Sequence, residues 1–450
     1  MFEPARRIPV IIDTDPGVDD VIGILLALAS PELEVLAITV TFGNTNLDYC
    51  LKNVLHLYQA LERHFSEIPD DRSRFPNFAQ SRKTILALGA KGPTSGCIHT
   101  AQYFHGRDGL GDIDTRHPGL QAPVADEGHQ HPQLEISSRS AIDVSLDLIR
   151  SEPDKSITYI ALGPLTDLSR MLKKDPTLVR ERLGRVVCMG GALDVPGNST
   201  PVAEFNFFAD PHAVCDVLTP ATPDQGFPHE RFILVPLDVT TPHEIPFPLY
   251  KAEVDPEFEN TSFPSTPMNK PPLSHFTSAF LERTREVMLA FGKDAMELHD
   301  PVAVWFAIDN PPGMESTGQS PVLQQGWRTV RRQFQVERWV SFHLIRGIAL
   351  ISPFIMGNRT GEFTRGMLVV DRRDDVEAYS LGDNRSMKYA PGQLHGPFGS
   401  AVVPAPVLGD EGVGNGQKSD IGVFTLVETP GPQACLDLLL RRIWGISRQV

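Results

Sequence analysis

Four aspartates fall within eight residues, directly after a short run of apolar, β-branched side chains. Ile8-Pro9-Val10-Ile11-Ile12 leads into Asp13-Thr14-Asp15-Pro16-Gly17-Val18-Asp19-Asp20. Like charges at that density repel one another, so a fold keeps them together only where something positive holds them. The flanks argue against a solvated acidic tail. The run before them reads as a buried strand, and after them Val21, Ile22, Leu25, Leu26 and Ala29 recur at helical spacing. Pro16 and Gly17 supply the sharp turn between the two. The acidic groups therefore belong at the carboxyl end of a strand, where open α/β sheets place their ligands. A hard cation with oxygen ligands suits such a place. The plainer alternative is helix capping, which Asp19 or Asp20 could each provide. One cap needs one carboxylate, and Asp13 and Asp15 lie too early for that job.

The rest of the first half repeats the same rhythm. Strands are expected over Glu34–Thr41, Ile85–Leu88, Ile157–Leu162, Arg185–Met189 and Phe232–Val239. Helical patterns run over Asn53–Leu61, Ser140–Arg150 and Leu165–Leu172, with a terminal amphipathic helix over Ala434–Trp444. Strands alternating with helices predict an α/β fold with a mainly parallel sheet covered on both faces. Four stretches break the rhythm and are expected to be surface insertions: 63–82, 116–138, 247–275 and 381–416. The third holds six prolines, too many for a regular helix or central strand. The second carries His117, His129 and His131, whose spacing matches no zinc pattern and reads as loop. Over Gly326–Ile351 the periodicity is mixed, enough for one or two helices or strands. The whole 450-residue chain is expected to form one α/β domain carrying these insertions.

A net charge of −15 argues against a nucleic-acid backbone as partner. No apolar leader precedes the first strand, and no run of 18 or more apolar residues appears, so a soluble cytoplasmic protein without a membrane partner is expected. Cys50, Cys97, Cys188, Cys215 and Cys435 are scattered without a CxxC pair, as in a reducing compartment.

Other polar groups fall where the rhythm predicts strand ends. Asn44 follows the second strand, and Gly163-Pro164-Leu165-Thr166-Asp167 follows Leu162. Gly190-Gly191 opens a loop that reaches Asn198 and then Glu204-Phe205-Asn206. His299-Asp300-Pro301 precedes an apolar helix expected over Val302–Ile308. Amides and a carboxylate suit sugar hydroxyls, which both donate and accept. A distant aspartate can complete an oxygen cage, and a neighbouring histidine can hand a proton to a leaving group. Taken singly, each of these is a common turn or helix-start residue. Their joint order is what carries weight.

That order resembles the nucleoside hydrolase family, the inosine–uridine-preferring ribohydrolases. The resemblance rests on DTDPGVDD at 13–20, Gly43-Asn44, MGGALDVPGNSTPVAEFNFFADP at 189–211 and HDPVAV at 299–304, with Gly361-Glu362-Phe363-Thr364-Arg365-Gly366 near the end. It implies a Rossmann-like open α/β fold and a Ca²⁺ held by Asp15, Asp20, the Leu162 carbonyl and Asp300. It also implies a ribonucleoside substrate. Asp19 and Asn44 match residues that bind the ribose diol. Asn198, Glu204 and Asn206 match those that grip the sugar toward its 5′ hydroxyl. Asp15 matches the group that accepts a proton from the attacking water, His299 the leaving-group acid, and His105 a segment that closes over the base. Relatives are dimers or tetramers, so a homodimer or homotetramer is expected by analogy. Two other readings stand beside this one. One is a homologue that binds nucleosides without turnover; the competent side chain at every matched metal and ribose position argues against it, though the insertions could bury the cleft. A haloacid-dehalogenase-type phosphatase also opens on a strand and DxD, but here Gly17 replaces the Thr or Val that such enzymes want.

Overall fold

The computed structural model describes residues 7–121, 131–222, 224–312, 321–338, 364–370 and 422–448. Seven strands follow one another in the first half: β1 (Ile8–Thr14), β2 (Leu33–Val40), β3 (Thr84–Leu88), β4 (Leu134–Ile136), β5 (Thr158–Ala161), β6 (Arg185–Met189) and β7 (Phe232–Val235). A short antiparallel pair, β8 (Glu244–Pro246) with β9 (Ala295–Glu297), stands apart from them. The later strands are β10 (Arg328–Arg332), β11 (Gln335–Val336), β12 (Leu368–Val369) and β13 (Val423–Glu428). Nine of these form the central sheet, in the order β10-β13-β7-β6-β5-β1-β2-β3-β4. Every neighbour pairs in parallel except β10, which runs antiparallel to β13 at the edge.

Successive side chains of a strand leave on opposite faces, and here both faces are dry. Val10 and Ile12 of β1 join one hydrophobic core while Ile11 joins the other; Val187 and Val186 of β6 divide in the same way. That explains the near-continuous apolar strands, as expected of a sheet covered on both sides. Each fully buried Val or Ile contributes roughly 1.5–3 kcal/mol relative to exposure.

The strand order reverses between β1 and β5. From β1 the chain steps outward through β2, β3 and β4, then returns to β5 on the other flank of β1 and continues through β6 and β7. The carboxyl ends of β1 and β5 therefore diverge into loops on opposite sides, which opens a crevice at a topological switch point. Asp15 follows β1, and Leu162 follows β5.

Several expectations are corrected. β7 ends at Val235 and not at Val239, because Pro236 has no N–H to continue the ladder. Leu237–Thr240 turns into a short helix instead. The helix expected from Val302 begins at His299, with Pro301 in its first turn, where a missing N–H costs nothing. The segment 63–82 is not merely superficial: the helix Leu47–Glu67 runs into it, and Phe75, Asn77 and Phe78 are buried. Within 247–275 the helix Phe247–Glu253 accommodates Pro248 in its first turn and buries Phe247 and Tyr250, and a buried Lys270–Asp255 pair closes at 2.7 Å. The segment 116–138 supplies edge strand β4. Its His117 lies 3.0 Å from Glu282 and its His131 sits edge-on to Tyr58, while His129 is outside the described residues. The segment 381–416 also lies outside them. Among the described residues, no helix is long and apolar enough to cross a membrane.

Asn77 shows why part of the first supposed insertion belongs to the core. Its amide donates to the carbonyls of Ala27 (3.0 Å) and Ser30 (2.8 Å), at the end of the helix Val18–Leu28, and its oxygen accepts from Val35 N–H (3.3 Å) and from Arg7. It thus sets the turn that carries the chain from β1 to β2. Replacing Asn77 by Ala is expected to cost about 2–4 kcal/mol, since several buried backbone groups lose their partner at once. A fall in the urea midpoint at unchanged slope would register that loss; an unchanged midpoint would refute the role.

Candidate active site

The helix Val18–Leu28 starts immediately after the turn at the end of β1, and Asp19 and Asp20 lie in its first turn. The helix His299–Asp309 packs against it, bringing Asp300, in its own first turn, onto the same spot. Two helix N-termini, each with a partial positive charge, thereby face the same carboxylates. Asp19, Asp20 and Asp300 each present an oxygen, and these atoms all lie within 4.8 Å of one another.

Asp20 is the most firmly held of the three. Thr14 Oγ1 donates to its Oδ1 at 2.5 Å, and Gly17 N–H and the Asn44 amide donate to its Oδ2 at 3.0 and 2.9 Å. Asp15 stands beside this trio and not within it. Its Oδ2 accepts from Asn44 N–H at 2.7 Å, while its Oδ1 is buried with no hydrogen-bond partner. Backbone passes so close to Asp15 that a Cβ at Gly43 would fall 1.9 Å from its Oδ2. Only glycine fits there.

Burial pushes the Asp15 and Asp300 carboxyls well above the usual range, and repulsion from neighbouring aspartates adds to it. Burial and then Asp20 raise Asp19 to about 6, against the opposing charge of His299. Asp20 is raised less because Thr14 and Gly17 hydrogen-bond its charged form. Buried carboxylates that repel one another, one with an orphaned oxygen, form a donor set for a hard divalent cation, which takes oxygen ligands alone. The residues present fit that group.

Asn198, Glu204 and Asn206 reach the same place from the loop after β6. Glu204 caps the helix Phe205–Ala209 by accepting from Asn206 N–H (2.7 Å) and Phe207 N–H (3.1 Å), and it also takes Gly191 N–H at 2.8 Å. Asn198 Oδ1 accepts from Phe205 N–H at 2.9 Å. The Asn206 amide donates to the Leu162 carbonyl at 2.6 Å, which ties the end of β5 to this loop. The site segments are therefore fixed by their own hydrogen bonds.

Two histidines complete the wall. His299 meets Thr240 Oγ1 through Nδ1 (2.8 Å) and Glu297 through Nε2 (3.2 Å). Burial alone would lower its pKa, but Glu297, Asp19 and Glu204 together hold it above the ordinary histidine value. His105 ends the short helix Gln102–His105, buried, with Nδ1 accepting from Val18 N–H at 3.1 Å. Burial, and then the charge of His299, push it down to about 3, so it is neutral.

Together these groups line a cavity of about 410 Å³, within the roughly 300–1,000 Å³ typical of small-ligand sites. Asp19, Asn44, His105, Leu162, Asn198, Glu204, Asn206, His299 and Asp300 all border it. Asp15 and Asp20 lie behind that surface. Sequence reasoning missed Tyr103, Phe104, Met288, Phe291, Lys293 and Glu297, which also line it. Glu297, two residues before His299, carried a signal in hindsight: a charge ending a short strand beside a candidate acid. Tyr103, Phe104, Met288 and Phe291 gave none, since aromatic and apolar residues at a helix end read as core, and Lys293 reads as an ordinary surface charge. Asp13 and Asp167, both named in the sequence but not as neighbours, interact in the fold, and each is pushed up first by burial.

The model of a family described as inosine-uridine preferring nucleoside hydrolase matches residues 10–392. The pyrimidine-specific ribonucleoside hydrolase RihA of Citrobacter koseri is 30% identical over 364 residues, covering 81% of this chain and 88% of that protein. An uncharacterised protein of Schizosaccharomyces pombe is 34% identical over 231 residues, 51% of this chain; the alignment spans 61% of that relative's length. Among solved structures, the purine-preferring ribonucleoside hydrolase from Gardnerella vaginalis superposes with a TM-score of 0.58 at 21% identity, covering 97% of this chain and 98% of that one, a likeness of fold. The family match begins inside β1 and takes in every strand end that supplies a cavity residue, and on that ground the chain belongs to the inosine-uridine preferring nucleoside hydrolase family.

Proposed function

We propose that this chain hydrolyses the N-glycosidic bond of ribonucleosides to ribose and free base, with Ca²⁺ as the resident ion. The observation that carries the reading is one cavity bordered both by Asp19 and Asp300 of a gathered set of buried carboxylates and by His299, which lies at ion-pair distance from Glu297. Asp20 and Asp300, with Asp15 and the Leu162 carbonyl beside them, would hold the ion. Ca²⁺ bound there would supply Lewis-acid polarisation of a water and an anchor for the ribose diol. Asp19, which the geometry gathers with Asp20 and Asp300, is assigned both to that cluster and to the diol. Cytoplasmic nucleoside salvage, a single domain and a homodimeric or homotetrameric assembly belong to this reading on the family resemblance alone.

The chain's own residues then divide the work. Cleavage builds positive charge on the ribose ring, as in glycoside hydrolysis generally. The buried carboxylates of Asp19 and Glu204 oppose that charge. Asn44, Asn198 and Asn206 orient the sugar. Asp15, with its orphaned buried Oδ1, accepts the proton of the water that attacks C1′. His299 gives a proton to the departing base as the C1′–N bond breaks. Relatives include both a pyrimidine-specific and a purine-preferring hydrolase, so the base is set by assay of inosine against uridine.

Ribose release from inosine or uridine should stop in a strong chelator and return with added Ca²⁺. Turnover indifferent to chelation would remove the ion from the mechanism. Asp15→Asn should cost roughly 10²–10⁴ in kcat, the usual general-base contribution.

The 5′ end of the sugar is tested by substrate and not by mutation. Because Asn198, Glu204 and Asn206 converge on the cavity, 5′-deoxyinosine should react more slowly than inosine, with part of the loss in kcat. Equal rates would detach the trio from the 5′ hydroxyl.

His299→Ala should slow inosine by roughly 10²-fold or more, in line with general-acid contributions. p-Nitrophenyl riboside, whose leaving group departs as a stable anion, should change little. Both substrates share the ribose contacts, so their ratio isolates leaving-group activation. Equal losses would give His299 a structural role only.

A further inference from the structure

His299 has a partner that its position in the sequence did not suggest. Both ring nitrogens are engaged, Nδ1 by Thr240 Oγ1 at 2.8 Å and Nε2 by Glu297 Oε2 at 3.2 Å. A threonine hydroxyl can donate or accept, but an ionised carboxylate only accepts. At that ion-pair distance the contact to Glu297 is favourable with an N–H at Nε2. Glu297 is itself anchored. It sits opposite Glu244 in the β8–β9 ladder, where two like charges would repel. Lys293 Nζ lies 2.7 Å from a carboxylate oxygen of each and bridges them, which offsets their repulsion. Burial pushes the Glu297 carboxyl up, but the hydrogen bond from His299 and the charge of Lys293 outweigh it and bring it down to about 2. It is thus an acceptor under any ordinary condition. Lys293, Glu297 and His299 all border the cavity.

We propose that Glu297 is a positioning residue for leaving-group protonation: its carboxylate, clamped by Lys293 across β8 and β9, holds the Nε2–H of His299 at the cavity wall, where the departing base takes it over. The proposal rests on the hydrolase reading above. As the C1′–N bond breaks, its electron pair goes to the base nitrogen, and that nitrogen receives the Nε2 proton. The step balances with the imidazolium as donor: Thr240 Oγ1 accepts from Nδ1–H, the ring is left neutral after giving up the Nε2 proton, and Glu297 stays ionised throughout.

The test uses the Ca²⁺-loaded full chain with inosine and p-nitrophenyl riboside as substrates. Glu297→Ala should lower kcat for inosine by about 10-fold to 10²-fold, the usual effect of losing a group that orients a reacting one. KM should stay within about 2-fold, and p-nitrophenyl riboside turnover should be unchanged, which also certifies the fold. Glu297→Gln, which keeps an acceptor oxygen at the same reach, should retain an intermediate rate. Lys293→Met should show a smaller loss on inosine only. Equal losses on both substrates, a loss carried by KM, or a Glu297→Gln as slow as Glu297→Ala would each overturn the proposal. A second readout does not depend on turnover. In ¹⁵N-histidine NMR the His299 Nε2-bound proton, identified by its loss in His299→Ala, should be seen in the wild type and vanish in Glu297→Ala. A wild type that turns over both substrates without that resonance overturns only the role given to Glu297. One that keeps the resonance but releases ribose from neither substrate overturns the hydrolase reading itself.

Discussion

Asp15, Asp19, Asp20 and Asp300 approach one another in a place from which water is almost excluded, and that repulsion governs the rest of the site. Two unit charges 4 Å apart repel by about 4 kcal/mol at an effective dielectric constant of 20. Several such pairs would strain a fold whose total stability is roughly 5–15 kcal/mol. The carboxyls respond as buried like charges must: each is raised, and Asp300 feels Asp20, Asp19 and Asp15 in turn. Protons can relieve the strain, and so can a cation. A cation that binds the folded chain and not the unfolded one adds its binding free energy to stability. The cluster is therefore costly alone and coherent with an ion, which is why it reads as a site and not as an accident of sequence.

The sheet makes that cluster possible through its connectivity. β1 lies between β2 and β5, and the loops leaving β1 and β5 part in opposite directions. Asp300 arrives from almost three hundred residues away because the apolar helix His299–Asp309 packs on the helix Val18–Leu28, with Val304 and the Asp300 backbone against Gly23. Ordinary apolar packing thus carries the Asp300 carboxylate and the neighbouring His299 to the switch point. The same helix start places Pro301 where its missing N–H is harmless, so HDP serves local helix geometry and the site at once.

Legibility in the sequence followed the range of the interactions. The turn between β1 and the helix Val18–Leu28 was readable because strand, Pro-Gly turn and amphipathic helix are contiguous, and Asn44 because it ends a strand of the same rhythm. Leu237–Val239 reads as strand because Phe232–Val239 is apolar but for Asp238. Pro236 was the breaker in that run and outranks hydrophobicity. β4 and β13 escaped notice since each is recognised by its partner, β3 or β7, and not by its own pattern. Phe75, Asn77 and Phe78 were hidden in a polar, proline-bearing stretch. Two rings and one amide sufficed to bury it, and composition averaged over twenty residues does not reveal that.

The two cavity histidines show what sequence cannot supply at all. As letters they are equivalent, each beside a glycine or an aspartate in a plausible motif. In the fold they are driven apart. His105 accepts Val18 N–H at the head of a helix, where a proton on that nitrogen would face a donor and a positive dipole end; burial and the neighbouring charge of His299 complete its neutralisation. His299 faces carboxylates, and their field overcomes the same burial. Groups whose environments separate their pKa values in this way mark the division of acid–base labour in a site. The histidine held above its ordinary value is the better placed of the two to give up a proton in the proposed reaction. The neutral one is suited to shaping the pocket, and its ring closes against Gly17, where a Cβ would come within 2.6 Å of its Nδ1. The turn glycine of the opening motif is thus tied to the far wall of the cavity, so the residues that gather the carboxylates also fix the surface a nucleoside must meet.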